Sequence, residues 1–222
     1  MRGAIRAGSE PSAILLAAQL GALLVYPFLE DSGAGRAIIS ALGIAFLGLV
    51  ILSVRTSPAW TSFGIALAIP ATVLLAIQAV TGSDDLLPYS SALEAILYFY
   101  AAGALIAYML EDHVITRDEL FAVGATFTLV AWGFAYTYTV IQAIEPGSFT
   151  AAVDPEGTRS WVELLFLSFT TLTSTGLSDV VPVKAFARSV VMIEQLMGLA
   201  YVAMLVSRLV ALTVLRGEGS RR

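Results

Sequence analysis

There is no cysteine in the sequence and only one histidine, His113. Disulfides, thiolate catalysis, zinc fingers and iron–sulfur ligation are excluded on that ground alone. Charge is scarce too: 13% of the residues are Asp, Glu, Lys or Arg, against about 25% in an ordinary soluble domain. Acids outnumber bases 17 to 12, which gives a net charge of −5. No basic surface is available for phosphate contacts, so nucleic acid is not an expected partner. What is abundant is apolar: 58% of the 222 residues, against roughly 45–50% in a soluble domain. That excess points to a membrane protein, and at about 20 residues per span the length leaves room for little besides helices and short loops.

The apolar runs cover residues 12–29, 37–54, 59–80, 92–110, 119–144 and 186–215, each near or above the length that crosses a hydrocarbon core. Six spans are expected, and the fold class is an all-α membrane protein. No charged residue stands between Arg36 and Arg55, or between Arg55 and Asp84. The first run follows Arg2 and Arg6 as a signal peptide would, but no A-x-A-like cleavage site precedes Glu30 and Asp31, so it is read as a span. With both ends cytoplasmic, the inner side holds Arg2, Arg6, Arg55, Arg117, Arg208, Arg216, Arg221 and Arg222, and the outer side only Arg36, Arg159, Lys184 and Arg188. The positive-inside rule therefore favours a multi-pass protein of the cell membrane with both termini inside. No fixed-period repeat and no low-complexity tract is present.

Helix starts carry their own chemistry. Ser91-Ala92-Leu93-Glu94, Thr116-Arg117-Asp118-Glu119 and Ser160-Trp161-Val162-Glu163 all fit the capping box that satisfies orphan amides, and each precedes an apolar run. Ser57-Pro58 offers an N-cap followed by proline at the first helical position. Residues 161–172 do not fit the six spans, because 12 residues make about 18 Å of helix, too short to cross. A re-entrant half-helix is expected there, between spans five and six. The polar string after it, residues 173–179, is then irregular backbone at membrane depth, which is tolerated only where protein buries it or it lines a water-filled cavity.

The string from Phe166 to Val183 closely resembles the pore loop of tetrameric potassium channels, which usually reads T-x-T-T-V-G-Y-G-D-x-x-P. Thr171, Thr173, Gly176, Asp179 and Pro182 stand where that family has them. Phe186-Ala187-Arg188-Ser189 and the stretch from Gly198 to Val210 look like the inner helix of bacterial members with six spans and no voltage sensor. The resemblance covers about residues 117–215 and is only architectural before that. It implies a pore domain over 116–215 (outer helix, pore helix, filter, inner helix), a four-helix membrane domain over 1–115, and a short cytoplasmic tail over 216–222. It also implies a homotetramer in the lipid bilayer, since four strands must surround an ion whose hydration shell they replace. The permeant ligands would be K⁺ or Na⁺ at the carbonyls of Thr173, Ser174, Thr175, Gly176, Leu177 and Ser178. No cofactor, small-molecule substrate or enzymatic activity is implied.

The departures from the family pattern matter equally. Where the family has T-V-G-Y-G, this chain has Ser174-Thr175-Gly176-Leu177-Ser178. Ser174 keeps a hydroxyl at the innermost position. The second glycine is replaced by Ser178, and at a positive φ a non-glycine residue costs about 1–2 kcal/mol per chain. Leu177 replaces a tyrosine that anchors the strand, so fewer ion sites and weaker potassium selectivity are expected. The single-glycine S-T-G string also resembles the pore loops of potassium-uptake transporters built from four pseudo-repeats. Three readings stay open: a potassium-channel-like pore, a weakly selective Na⁺/K⁺ channel, and a non-conducting scaffold or subunit with a degenerate filter.

Other residues are assigned beside the filter. Glu94 and Glu163 stand at the third position of capping boxes, Glu163 close enough in sequence to support the filter as well. Glu194 lies within the last span, near its outer end, with no cap to serve, and is either a brace for the filter or pore helix or an interfacial residue that reaches water. Asp179 is a candidate for attracting cations or tying the filter to its neighbours. Gly198 reads as a hinge or as a packing glycine. Leu199, Val202, Val206 and Val210 share one helical face and either line the inner pore or pack as a buried stripe. Tyr26, Tyr136, Tyr138 and Trp161 are expected interfacial anchors, and His113 a solvated loop residue. Between Ser12 and Leu110 the basic residues are Arg36 and Arg55, so no Arg-rich voltage-sensing helix is present.

Overall fold

A computed structural model of the chain describes residues 11–29, 58–81, 85–111 and 116–219. The elements in order are α1 (Pro11–Leu29), α2 (Pro58–Thr81), α3 (Leu87–Leu110), α4 (Arg117–Ile144), β1 (Phe149–Thr150), α5 (Trp161–Leu172), β2 (Val181–Pro182) and α6 (Ala185–Gly219). The expected second span, its flanking Arg36 and Arg55, and His113 lie outside the described residues. Among the described residues three helices are long and apolar enough to cross a membrane, Leu87–Leu110, Arg117–Ile144 and Ala185–Arg208. Shorter apolar helices run over Pro11–Tyr26, Ser62–Gln78 and Trp161–Leu172.

The helix starts follow local chemistry. α2 opens on Pro58, whose missing N–H is an orphan at that position in any case. At the head of α4 the Glu119 amide donates to Thr116 Oγ1 at 3.2 Å, one arm of the expected box. Asp118 and Glu119 in its first turn suit the positive end of the helix dipole. α3 starts at Leu87, five residues before Ala92, where the Ser91 box puts the first helical residue. Pro88 is tolerated in a first turn that needs no amide from it, and the amides of Tyr89 and Ser90 bond to the Leu86 carbonyl at 3.1 and 3.0 Å. Ser91 and Glu94 therefore sit inside the helix and cap nothing.

The chain divides into two units, residues 1–84 with 96–130 and residues 85–95 with 131–222. In the first unit α1 lies against the beginning of α4. The Ser12 amide and hydroxyl donate to Asp118 at 3.0 and 2.9 Å, so an acid of α4 caps the amino end of α1. Further along, Gln19 Nε2 reaches the Ala125 carbonyl at 3.4 Å. Both pairs are 106 residues apart, so the two helices run side by side in the same direction. Leu16 fills the space at Gly124, where a Cβ would stand 2.9 Å from its Cδ2.

In the second unit α5 and α6 pack on the later half of α4. Gln142 grips the Arg159 backbone from both sides, accepting its amide at 2.8 Å and donating to its carbonyl at 2.9 Å. Trp161, the first residue of α5, packs edge-on against Trp132 and tilted against Tyr136, with ring centroids 5.3 and 5.4 Å away. β1 and β2 pair antiparallel, Phe149 opposite Pro182 and Thr150 opposite Val181, which brings together the two ends of the segment that carries α5. Phe149 is buried against Tyr138, ring to ring at 5.2 Å.

Candidate functional site

α5 is bounded at both ends by side chains and backbone of its own neighbourhood. At its head the expected capping box is complete: the Glu163 amide donates to Ser160 Oγ at 3.3 Å, and the Ser160 amide donates to Glu163 Oε2 at 2.6 Å. Arg159, nearly all of it buried, donates to Glu163 Oε1 at 3.1 Å and to the carbonyls of Val153, Asp154 and Gly157. Its guanidinium gathers the preceding loop around the start of the helix.

At its foot the chain turns back on the helix. The Thr173 amide donates to the Phe169 carbonyl at 3.1 Å, Ser174 to Thr171 at 3.0 Å, and Thr175 and Gly176 to Thr170 at 3.0 and 3.2 Å. With Thr173 as C-cap, the bonds from Ser174 and Thr175 are those of a Schellman motif, whose residue after the cap takes the left-handed conformation. That residue is Ser174, at φ 56°, and Gly176 follows at φ 63°. The expected strain at Ser178 is thus not observed: among the described residues Ser174 and Asp154 alone combine a side chain with positive φ. The reason is local, since the cap is made at Ser174, while Ser178 Oγ closes a small turn of its own by accepting the Val180 amide at 3.0 Å.

The side chains of the loop extend the same pattern. Thr173 Oγ1 donates to the Phe169 carbonyl at 2.7 Å and lies 3.0 Å from Thr175 Oγ1, which in turn reaches Thr170 O at 3.3 Å. Thr173, Ser174, Thr175, Gly176 and Asp179 are exposed in the single chain, and Leu177 is 75% exposed. Buried Val180 pins the return of the loop, and the Val183 amide bonds Ser148 O at 2.8 Å. A row of hydroxyls and carbonyls thus stands at the partly negative end of a helix, next to helices apolar enough for a membrane.

Behind the loop, α6 meets α5 at two places one turn apart. Glu194 is fully buried and its carboxyl is bonded by the hydroxyls of Ser168 on α5 and Tyr138 on α4. Gly198 lies against the end of α5, where a Cβ would stand 2.2 Å from the Leu172 carbonyl oxygen. Leu199, Val202, Val206 and Val210 form an exposed apolar stripe along α6.

Of the expected support residues, Glu194 is therefore beside α5. Glu163 is committed to the cap and to Arg159, about 15 Å along the helix from Thr173 at 1.5 Å per residue. Tyr138, expected at an interface, is fully buried as the partner of Glu194. Glu94, expected as a cap, is 2% exposed and hydrogen-bonded to Tyr136 of α4. The signal for both partnerships was an acid inside an apolar run, which demands a donor.

No curated protein and no solved structure matches the chain. Residues 95–214, more than half of the chain, match the family model described as "Ion channel", a stretch that includes α5, the loop and nearly all of α6. By that match the chain belongs to the ion-channel family, and it is a membrane protein.

Proposed function

We propose that four copies of this chain surround one axis and pass monovalent cations down their gradient through the loops at 173–178. The observation that carries the reading is the Schellman-capped end of α5, which leaves hydroxyls and carbonyls of Thr173 to Gly176 exposed in a single chain between long apolar helices. Polar backbone of that kind needs water or protein around it at membrane depth, and a ring of four such loops supplies both. The negative end of the helix favours a cation, and the carbonyl ladder replaces its hydration shell. Asp179, exposed beyond the loop, draws cations to the outer mouth. The protein sits in the cell membrane with both termini on the cytoplasmic side.

K⁺ is the leading permeant ion, with weak discrimination against Na⁺. Residues 173–176 are tied to α5, whereas among the described residues no backbone hydrogen bond holds Leu177. The inner half of the filter is then ordered and the outer half loose. Imaging of the purified protein should give a fourfold particle with residues 173–178 of all copies converging on the axis. A stable monomer or dimer with the loop facing lipid overturns the reading. In liposomes with K⁺ on one side and Na⁺ on the other, the reversal potential should lie nearer zero than for a strictly K⁺-selective pore. A tetramer that passes no ion would instead be a non-conducting subunit.

A further inference from the structure

Glu194 carries no structural duty of the kind that explains Glu163, and no cation pairs with it among the described residues. Its carboxyl is held by two hydroxyls from two helices, Tyr138 at Oε2 and Ser168 at Oε1. Ser168 Oγ is at the same time 2.9 Å from the Ala131 carbonyl of α4. A hydroxyl has one proton to give, so Ser168 cannot serve both Ala131 and Glu194. Three contacts share two hydroxyl protons, and each is a full hydrogen bond only when the third proton comes from residue 194. A carboxylic acid offers one donor and one acceptor group, as a carboxamide does; a carboxylate only accepts.

The register of the contacts links this strap to the loop. Ser168 and Leu172 are one turn apart on α5, and Glu194 and Gly198 are one turn apart on α6, so the two pairs form successive rungs between the helices. Thr170 and Thr171 lie between the rungs in sequence, and their carbonyls hold the amides of Ser174, Thr175 and Gly176. A shift of α5 at Ser168 moves the acceptors from which the loop hangs.

We propose that Glu194 is the positioning residue of the 173–176 loop, acting as a neutral hydrogen-bonding strap between α4, α5 and α6 and not as a charge that attracts ions. The proposal deepens the conduction reading and depends on it for the electrical readout alone. Its test compares Glu194→Gln, Glu194→Leu and Ser168→Ala in the full-length protein, by amide hydrogen exchange at Ser174, Thr175 and Gly176 and by the K⁺/Na⁺ reversal potential. Glu194→Gln should match the parent in both. Glu194→Leu and Ser168→Ala, still assembled as the parent is by size-exclusion profile, should exchange those amides about tenfold faster, the scale of one lost buried hydrogen bond, and shift the reversal potential. If Glu194→Gln exchanges as fast as Glu194→Leu, the strap is not neutral and the proposal fails. Parental exchange in both Glu194→Leu and Ser168→Ala also overturns it. Should Glu194→Leu not assemble, Ser168→Ala decides, because it removes a single oxygen. An unmutated chain without current defeats the conduction reading, and the exchange rates still decide the strap.

Discussion

At the scale of single residues, the loop after α5 puts its strain where its cap is made. Ser174 occupies the left-handed position that glycine adopts without steric cost. Ser174→Gly should therefore stabilise the folded chain by about 1 kcal/mol, visible as a higher midpoint of thermal unfolding in detergent. A lower midpoint would mean that the hydroxyl makes a contact worth more than the strain. If that hydroxyl also ligates the permeant ion, the same variant conducts differently from the parent, so stability and conduction separate its two roles. Ser160 offers the opposite case. Ser160→Ala removes the acceptor of the Glu163 amide and should cost about 1 kcal/mol while leaving the K⁺/Na⁺ reversal potential unchanged. A shifted potential would return Glu163 to the role of filter support, against its position at the far end of α5.

At the scale of elements, the contact between α5 and α6 decides what Gly198 is for. An added methyl would stand 2.2 Å from the Leu172 carbonyl, a backbone atom that cannot swing aside. Gly198→Ala should force the helices apart at a cost of about 1–3 kcal/mol, lowering the unfolding midpoint and the assembled fraction on size exclusion. A hinge glycine predicts something else: an assembly of parental stability with altered open probability. The bounds of α5 were legible in the sequence because Ser160 and Glu163 report the start and the polar string after Leu172 reports the end. The start of α3 was misleading, since Ser91 and Glu94 imitate a cap while Pro88, the residue that tolerates the true first turn, carries no hydrophobic signal. Glu194 could be singled out as an acid in an apolar run, but Tyr138 stands 56 residues away. Nothing in one sequence links the two until the helices are packed. The left-handed turn expected at Ser178, where the family's second glycine is absent, forms at Ser174, where backbone hydrogen bonding requires it.

At the scale of the whole molecule, the exposed stripe of Leu199, Val202, Val206 and Val210 on α6 must face lipid, a neighbouring copy or the conduction axis. In the proposed tetramer it faces the axis, and Val206 and Val210 form an apolar ring that closes the path by dewetting rather than by contact. Four carboxylates at such a ring hold water in it, so Val210→Asp should raise the open probability in single-channel recordings severalfold and leave the K⁺/Na⁺ reversal potential, set at residues 173–178, where it was. If the stripe is instead buried against a neighbouring copy, the same substitution places charge in an apolar interface, and the assembly is lost on size exclusion before any current is measured. If it faces lipid, the charge hinders insertion, and the protein is scarce in the membrane fraction. A variant that inserts, assembles and conducts like the parent removes Val210 from the gate and moves the gate to the loop that hangs from Thr170 and Thr171.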